Sequence, residues 1–274
     1  MPGEDLEALE LRLLLDAIYH HYGYDFREYA RASIKRRMWR RMMEEGLATL
    51  SGLQERVLHD SACMERLLLD LSINVTSMFR DPTFYAALRD KVVPLLRTYP
   101  FVRIWNPGCS TGEETYSLAI LLREEGLDGR TRIYATDING TVVQRAKEGL
   151  FPLERMQEFT QNYLRYGGRC SFSDYYKVYG DRARFDPTLL ENAVFAQHNL
   201  VSDASFNEFN LIMCRNVMIY FDRALQDKVH GLFHRSLARS GILALGHKES
   251  IRFTSHADAY AEIDGHEKVY RRIL

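Results

Sequence analysis

The stretch that most constrains this chain covers residues 101–117, F-V-R-I-W-N-P-G-C-S-T-G-E-E-T-Y-S. The apolar run at 101–105 reads as a buried strand. A loop of small residues holding Gly108 and Gly112 follows, and Tyr116, Ala119 and Ile120 then recur at helical spacing. Strand, glycine loop and helix in that order make the first half of a nucleotide-binding βαβ unit. The second half is legible at 131–138, T-R-I-Y-A-T-D-I, where Asp137 closes the next strand. An acidic residue about twenty residues past the loop is placed to hydrogen-bond a ribose.

The glycine spacing is Gly-x-x-x-Gly, not the Gly-x-Gly-x-x-Gly of dinucleotide binders. Glu113 and Glu114 stand at the start of the helix. Bare N–H groups and the helix dipole draw a diphosphate to such an end, and two carboxylates would repel it. The pair either complements the dipole or suits a cationic ligand. Taken with Gly108, Gly112 and Asp137, it favours S-adenosylmethionine (SAM), which carries a sulfonium and an ammonium.

A length of 274 residues allows one large domain or two smaller ones. With 46% hydrophobic and 27% charged residues, the chain reads as a soluble globular protein. No apolar run approaches a membrane span, and the acidic, mixed first ten residues do not form a signal peptide. A cytoplasmic protein without membrane insertion is expected. Cys63, Cys109, Cys170 and Cys214 lack paired metal-ligand spacing and read as reduced thiols. A net charge of -1 gives no global argument for nucleic acid.

Residues 6–99 carry a helical pattern. Leu6, Leu9, Leu13 and Ala17 mark the inner face of a first helix, and a second runs over 27–45 to a stop at Gly46. Leu53, Val57 and Leu58 mark a third, Leu67, Leu68 and Leu71 a fourth, and 84–96 a fifth. In the second helix Ile34, Met38 and Met42 form a narrow apolar stripe, while Arg36, Arg37, Arg40 and Arg41 form one exposed basic face. The nearest acids, Glu44 and Glu45, lie beyond the run. The face is either merely solvated or a docking surface for an acidic protein or nucleic acid, and docking is the reading taken.

From residue 101 strands and helices alternate. Strands are read at 101–105, 131–138, 193–198, 209–214 and 242–246, with helices from 112, at 140–148 and at 222–239, and 268–274 as a closing edge strand. This pattern predicts a mostly parallel sheet with helices on both faces. Residues 151–192 break the alternation and read as an insertion, a small antiparallel subdomain whose aromatics serve as a minor core or a docking surface.

Further stretches agree with a single family. They are N-V-T-S-M-F-R-D at 74–81, H-N-L at 198–200 and C-R-N-V-M-I-Y-F at 214–221. With N-P-G-C-S-T-G-E-E-T-Y-S and A-T-D-I-N, the chain resembles the chemotaxis-receptor methyltransferases, the CheR family, from about residue 10 to its end. The resemblance implies a class I SAM-methyltransferase fold, α/β and Rossmann-like, with a helical N-terminal domain and a small inserted β subdomain. The expected division is 1–85, helical and acceptor-docking, and 86–274, the SAM-dependent methyltransferase domain, with the insertion at about 167–192. It implies methylation of glutamates in the cytoplasmic methylation helices of a chemoreceptor or related signalling receptor, with S-adenosylhomocysteine (SAH) as product.

Carried over by motif, Asn74, Thr76 and Arg80 would contact the cofactor from the interdomain segment. Gly108 and Glu114 would line its methionine end, Asp137 would hold the ribose, and Asn199 and Leu200 would flank the adenine. Arg215, Asn216 and Tyr220 would line the floor near the methyl group. The chain departs from the family in having Thr115 where proline is common, and Gly246-His247-Lys248-Glu249 where the usual motif is G-H-S-E.

A glutamate nucleophile is already ionised near neutral pH, so the transfer calls for no general base and no metal, and the sequence shows no ligand cluster for one. Arg80 and Tyr220 are accordingly assigned orientation of the attacking oxygen. The rivals are a nucleic-acid methyltransferase, disfavoured by the near-neutral charge, and a non-catalytic module that binds SAM or SAH as a signal.

Overall fold

A computed structural model describes residues 5–72 and 76–274. The chain forms two compact units, Met1–Ile73 with Met218–Val229, and Asn74–Val217 with His230–Leu274.

The first unit is helical. Its helices are α1 (Leu6–Tyr22), α2 (Arg31–Glu44), α3 (Leu50–His59) and α4 (Ser61–Leu71). Gly23, in the left-handed conformation, ends α1, and the Thr49 and Asp60 side chains cap α3 and α4 by accepting from the N–H groups of Gly52 and Ala62. The face of α1 differs from expectation. Leu11, Leu14, Leu15 and Ile18 are buried, whereas Leu6 and Leu13 are exposed. The buried set follows i, i+3, i+4, i+7, a wider stripe than the single row through Leu6 and Leu13. α2 starts later than expected because residues 28–30 pair with the segment after Val217. The Ala30 N–H donates to the Tyr220 carbonyl at 2.9 Å, and Asp222 N–H to the Glu28 carbonyl at 3.0 Å.

The expected basic face of α2 is corrected. Ile34, Met38 and Met42 are buried as expected, but so are Arg37 and Arg41, 7% and 9% exposed. The Arg37 Nη1 donates to the carbonyls of Leu71 and Asp70, which α4 leaves without helical partners at its C-terminus. Arg41 donates from Nε to the Asp70 carboxylate at 2.7 Å and pairs with Glu45. Two of the four arginines thus join helices to one another. Arg36 and Arg40 stay exposed, and Arg40 pairs with Glu44.

The second unit is built on a seven-stranded sheet. Its strands are β1 (Val102–Pro107), β2 (Thr131–Asp137), β6 (Ala193–Gln197), β7 (Phe209–Cys214), β8 (Leu237–Leu245), β9 (Tyr260–Asp264) and β10 (Val269–Arg272), in the order β6-β2-β1-β7-β8-β10-β9. The first five named are parallel, and β10 runs antiparallel to both its neighbours. This is the sheet of a class I SAM methyltransferase. The expected edge strand at 268–274 is instead internal, because β9, which sequence reading missed, lies outside it. β9 is short, and alternates apolar with charged residues only over Ala261, Glu262, Ile263 and Asp264.

A second sheet of β3 (Leu150–Pro152), β4 (Tyr176–Tyr179) and β5 (Arg182–Phe185) is antiparallel, in the order β3-β5-β4. Its aromatics do not form a separate minor core. Phe172, Tyr175 and Phe185 are buried in one cluster with Phe79, Tyr85, Tyr116 and Tyr163, and the Phe79 and Tyr166 rings stack at 5.0 Å. Helices α5 (Pro82–Ala87) and α6 (Val93–Leu96) precede β1, α7 (Glu113–Glu124) and α8 (Gly140–Glu148) follow β1 and β2, and α9 (Met156–Tyr166) precedes β4.

Candidate active site

The loop between β1 and α7 passes three times through the left-handed region, at Gly108 (φ +70°), Ser110 (φ +51°) and Gly112 (φ +96°). A Cβ on Gly108 would lie 2.3 Å from Cγ2 of Val217, and one on Gly112 would lie 2.9 Å from Cβ of Ala146. Both positions therefore need glycine for conformation and for close approach. The loop is tied to the end of β2. Cys109 N–H donates to the Thr136 carbonyl at 2.9 Å, and Ser110 N–H to Oδ2 of Asp137 at 3.0 Å. Oδ1 of Asp137 accepts from the Asn139 N–H. Burial pushes the Asp137 carboxyl up, and these backbone donors pull against it.

Glu114 faces a closed polar network at the carboxyl ends of β1 and β7. Its Oε1 accepts from Nδ2 of Asn106 at 2.9 Å and its Oε2 from Nη1 of Arg215 at 2.9 Å. The Thr115 hydroxyl donates to Oδ1 of Asn106 at 2.7 Å. Threonine at 115 is thus a working part of the network, with a bond that a proline could not make. The Arg215 guanidinium is enclosed. Its Nη2 donates to Asp81 at 2.7 Å and to the Arg80 carbonyl at 3.2 Å, and its Cζ sits 3.9 Å from the centre of the Phe84 ring. Burial pushes Glu114 up, and Arg215 is the strongest group pulling it back. Glu113 turns the other way, to the Thr111 hydroxyl at 2.6 Å and to Arg155 at 3.5 Å, and burial raises its carboxyl as well.

The segment carrying Thr76 and Arg80 is held from several sides. Arg155 donates to the Thr76 carbonyl at 2.8 Å, and the Phe79 N–H donates to Oγ of Ser117 at 2.8 Å. Phe79 and Asp81 both adopt positive φ, a strained arrangement for side-chain-bearing residues that brackets Arg80. Asp81 in turn pairs with Arg215 at 2.7 Å. Asn74 lies outside the described residues.

On the far side of β2, His198 N–H donates to the Asp137 carbonyl, and the His198 ring packs edge-on against Trp105 at 5.2 Å. Asn199 is buried, and its Oδ1 accepts from Val201 N–H; Leu200 is half-buried. Asn216, at φ +61°, begins a turn whose anchor sequence reasoning left unassigned, the Glu249 carboxylate. It accepts N–H bonds from Asn216 at 2.9 Å, Val217 at 2.9 Å and Gly246 at 2.7 Å. His247 and Lys248, between Gly246 and Glu249, are exposed. Tyr220 falls in the first unit, with the Arg37 guanidinium 5.0 Å from its ring centre.

The second unit thus presents a glycine loop, a helix N-terminus, buried carboxylates at 113 and 137 and a part-buried one at 114. Such a set repels a diphosphate and matches a cofactor with an ammonium and a sulfonium. Over residues 74–269 the chain matches the model described as CheR methyltransferase, SAM binding domain, and over 9–72 the CheR methyltransferase, all-alpha domain. The chain belongs to the CheR methyltransferase family. A Pseudomonas putida protein provisionally named methyltransferase Cher3 is 48% identical over 99% of this chain and 100% of its own length. The chemotaxis protein methyltransferase of Borreliella burgdorferi is 29% identical, covering 89% of this chain and 88% of that one, and that of Escherichia coli is 29% identical over 89% and 85%. This CheR-family chain is a SAM-dependent methyltransferase, with SAM as the methyl donor. No helix of the described residues is long and apolar enough to cross a membrane.

Proposed function

We propose that the chain transfers the methyl group of SAM to glutamate side chains in the cytoplasmic methylation helices of a chemoreceptor or chemoreceptor-like protein. The products are glutamate methyl esters and SAH. The observation that carries this reading is the commitment of the site's own carboxylates. Glu113, Glu114, Asp137 and Glu249 each already accept hydrogen bonds from the loop, the network or the turn. None stands ready as a general base, and a carboxylate nucleophile, unlike an amine, needs none.

SAM supplies a methyl carbon bound to a positive sulfur. An ionised glutamate oxygen would take that methyl group in exchange for the C–S bond, leaving SAH as a neutral thioether and no proton for this chain to move. What remains for this chain is to hold the reactants in line and exclude water. Arg80 and Tyr220 orient the acceptor oxygen. Gly108 and Glu114 line the methionine end, Asp137 holds the ribose, and Asn199 and Leu200 flank the adenine. Arg215 and Asn216 form the floor, and Asn74 and Thr76 complete the cofactor contacts. The protein works in the cytoplasm.

The decisive experiment is radiolabel transfer to receptor cytoplasmic fragments, with RNA as the alternative acceptor. Label on the fragments should be released by mild base as volatile methanol; label that survives base, or that goes to RNA, rules the ester reading out. Cofactor binding tests the ribose role of Asp137. Calorimetry on Asp137→Ala should show SAH affinity lowered about tenfold or more, because the loop anchor at Ser110 is lost with the ribose contact. Undiminished affinity would remove Asp137 from that role.

The helical domain, 1–85, docks the acceptor. With Arg37 and Arg41 occupied inside the unit, Arg36 and Arg40 are the members of the run left to meet an acid-rich methylation helix. Reversing both to Glu should lower receptor methylation severalfold at low salt and leave SAH affinity unchanged. Exposed charges steer encounter and are screened over a Debye length of about 8 Å at physiological salt, so the wild type should lose activity with salt and the variant much less. Equal rates at low salt would make the face a solvated surface.

A further inference from the structure

Sequence spacing offers no metal-ligand cluster, yet the sheet assembles one from residues that are far apart in the chain. His247 lies in the loop after β8, and His266 and Glu267 lie in the turn between β9 and β10. Nε2 of His247 is 2.7 Å from Oε2 of Glu267, and Nδ1 of His266 is 3.0 Å from Oε1 of the same carboxylate. The ligand-capable atoms of all three residues fall within 4.8 Å of one another. The carboxylate is buried, its side chain 6% exposed, while the imidazoles reach solvent, at 36% for His247 and 83% for His266. The Thr83 side chain hydrogen-bonds the same carboxylate, as an outer partner that holds a ligand in place.

We propose that His247, His266 and Glu267 form a site for a divalent transition-metal ion of the zinc class, with solvent completing a tetrahedral shell. Two imidazoles and one carboxylate are the donor set such an ion takes, at about 2.0–2.2 Å per bond. The donors must open slightly to admit it, and the His266 side chain, largely exposed, borders solvent into which it can shift. The ion takes no part in methyl transfer. It fastens the loop at 246–249, whose Glu249 holds the turn at 216–217, to the turn between β9 and β10. The binding claim does not depend on the proposed reaction.

The test uses the full chain, stripped with chelator and carrying Cys170→Ser, because Cys170 is the exposed thiol among the four cysteines and would compete. Zn2+ is titrated against a chromogenic chelator at pH 7.5. One equivalent should bind, with affinity reduced at least about tenfold in both His247→Ala and His266→Ala, a difference of about 1.4 kcal/mol each. Zn2+ should also raise the melting temperature of the parent and not that of His266→Ala. Both histidines are exposed, so the variants should fold; a Glu267→Gln chain provides a third, shape-preserving check. Absence of stoichiometric binding, or binding undiminished in both histidine variants, overturns the proposal and leaves a hydrogen-bonded cluster only.

Discussion

Replacing Arg215 with Met is expected to destabilise the protein by about 3–5 kcal/mol, the magnitude for removing one partner of a buried ion pair. The Arg215 side chain is fully enclosed and holds Glu114, 15% exposed, together with Asp81. Methionine keeps much of the packing against Phe84 but leaves the Glu114 carboxylate, among the described residues, with Asn106 alone as donor. Urea denaturation should show the loss in the midpoint. Adding Glu114→Gln to Arg215→Met should recover a good part of it, since a neutral amide carries no charge to strand. A single variant as stable as the parent would mean that the network contributes no net stability.

The same variant carries a pH signature. Burial already pushes Glu114 up, and Arg215 is the main opposing influence. Without Arg215 the folded-state value rises further above the unfolded value of about 4.3. Between the two values the folded state binds the proton and the unfolded state does not, so stability falls as pH rises through that window. The deficit of Arg215→Met relative to the parent should therefore be larger at pH 8 than at pH 5. Glu114→Gln should remove the difference.

How much was legible follows from the range of each interaction. Gly108, Gly112 and Asp137 announce themselves because the strand, loop and helix that need them are contiguous in sequence. Met38 and Met42 are likewise readable, since helical period alone places them. The errors come where the partner is remote. Arg37 and Arg41 look like surface charges until α4 brings Leu71 and Asp70 against them. The face of α1 is ambiguous by period, because its leucines support two overlapping stripes and only packing on α3 selects one. Arg155, which braces Thr76, and Asp81, which pairs with Arg215, carry no local mark of those roles. Helical and strand patterns specify which side chains point inward, but not which polar groups meet across elements.

Glu249→Ala is expected to lower methyl transfer about 100-fold, the scale on which displacement of a positioned group by roughly 1 Å is felt. Glu249 lies outside the set assigned to the cofactor, and its effect runs through the backbone. Its Oε2 accepts from Asn216 and Gly246, and its Oε1 from Val217. These bonds hold the turn in which Asn216 takes a positive φ and Val217 presses on Gly108. Alanine leaves three N–H groups to find water, at about 1–3 kcal/mol for each that stays buried and unmet, and frees the turn to move against the glycine loop. Glutamine supplies one acceptor oxygen and turns an NH2 group toward a backbone N–H. Glu249→Gln should therefore fall between alanine and the parent, although its size is unchanged. The measurements are kcat and KM for SAM, with SAH affinity by calorimetry and thermal melting as a control for folding. A role in positioning predicts loss of kcat and weaker SAH binding in a variant that still melts cooperatively. Full turnover in a well-folded Glu249→Ala chain would show that the turn at 216–217 holds its geometry without that carboxylate.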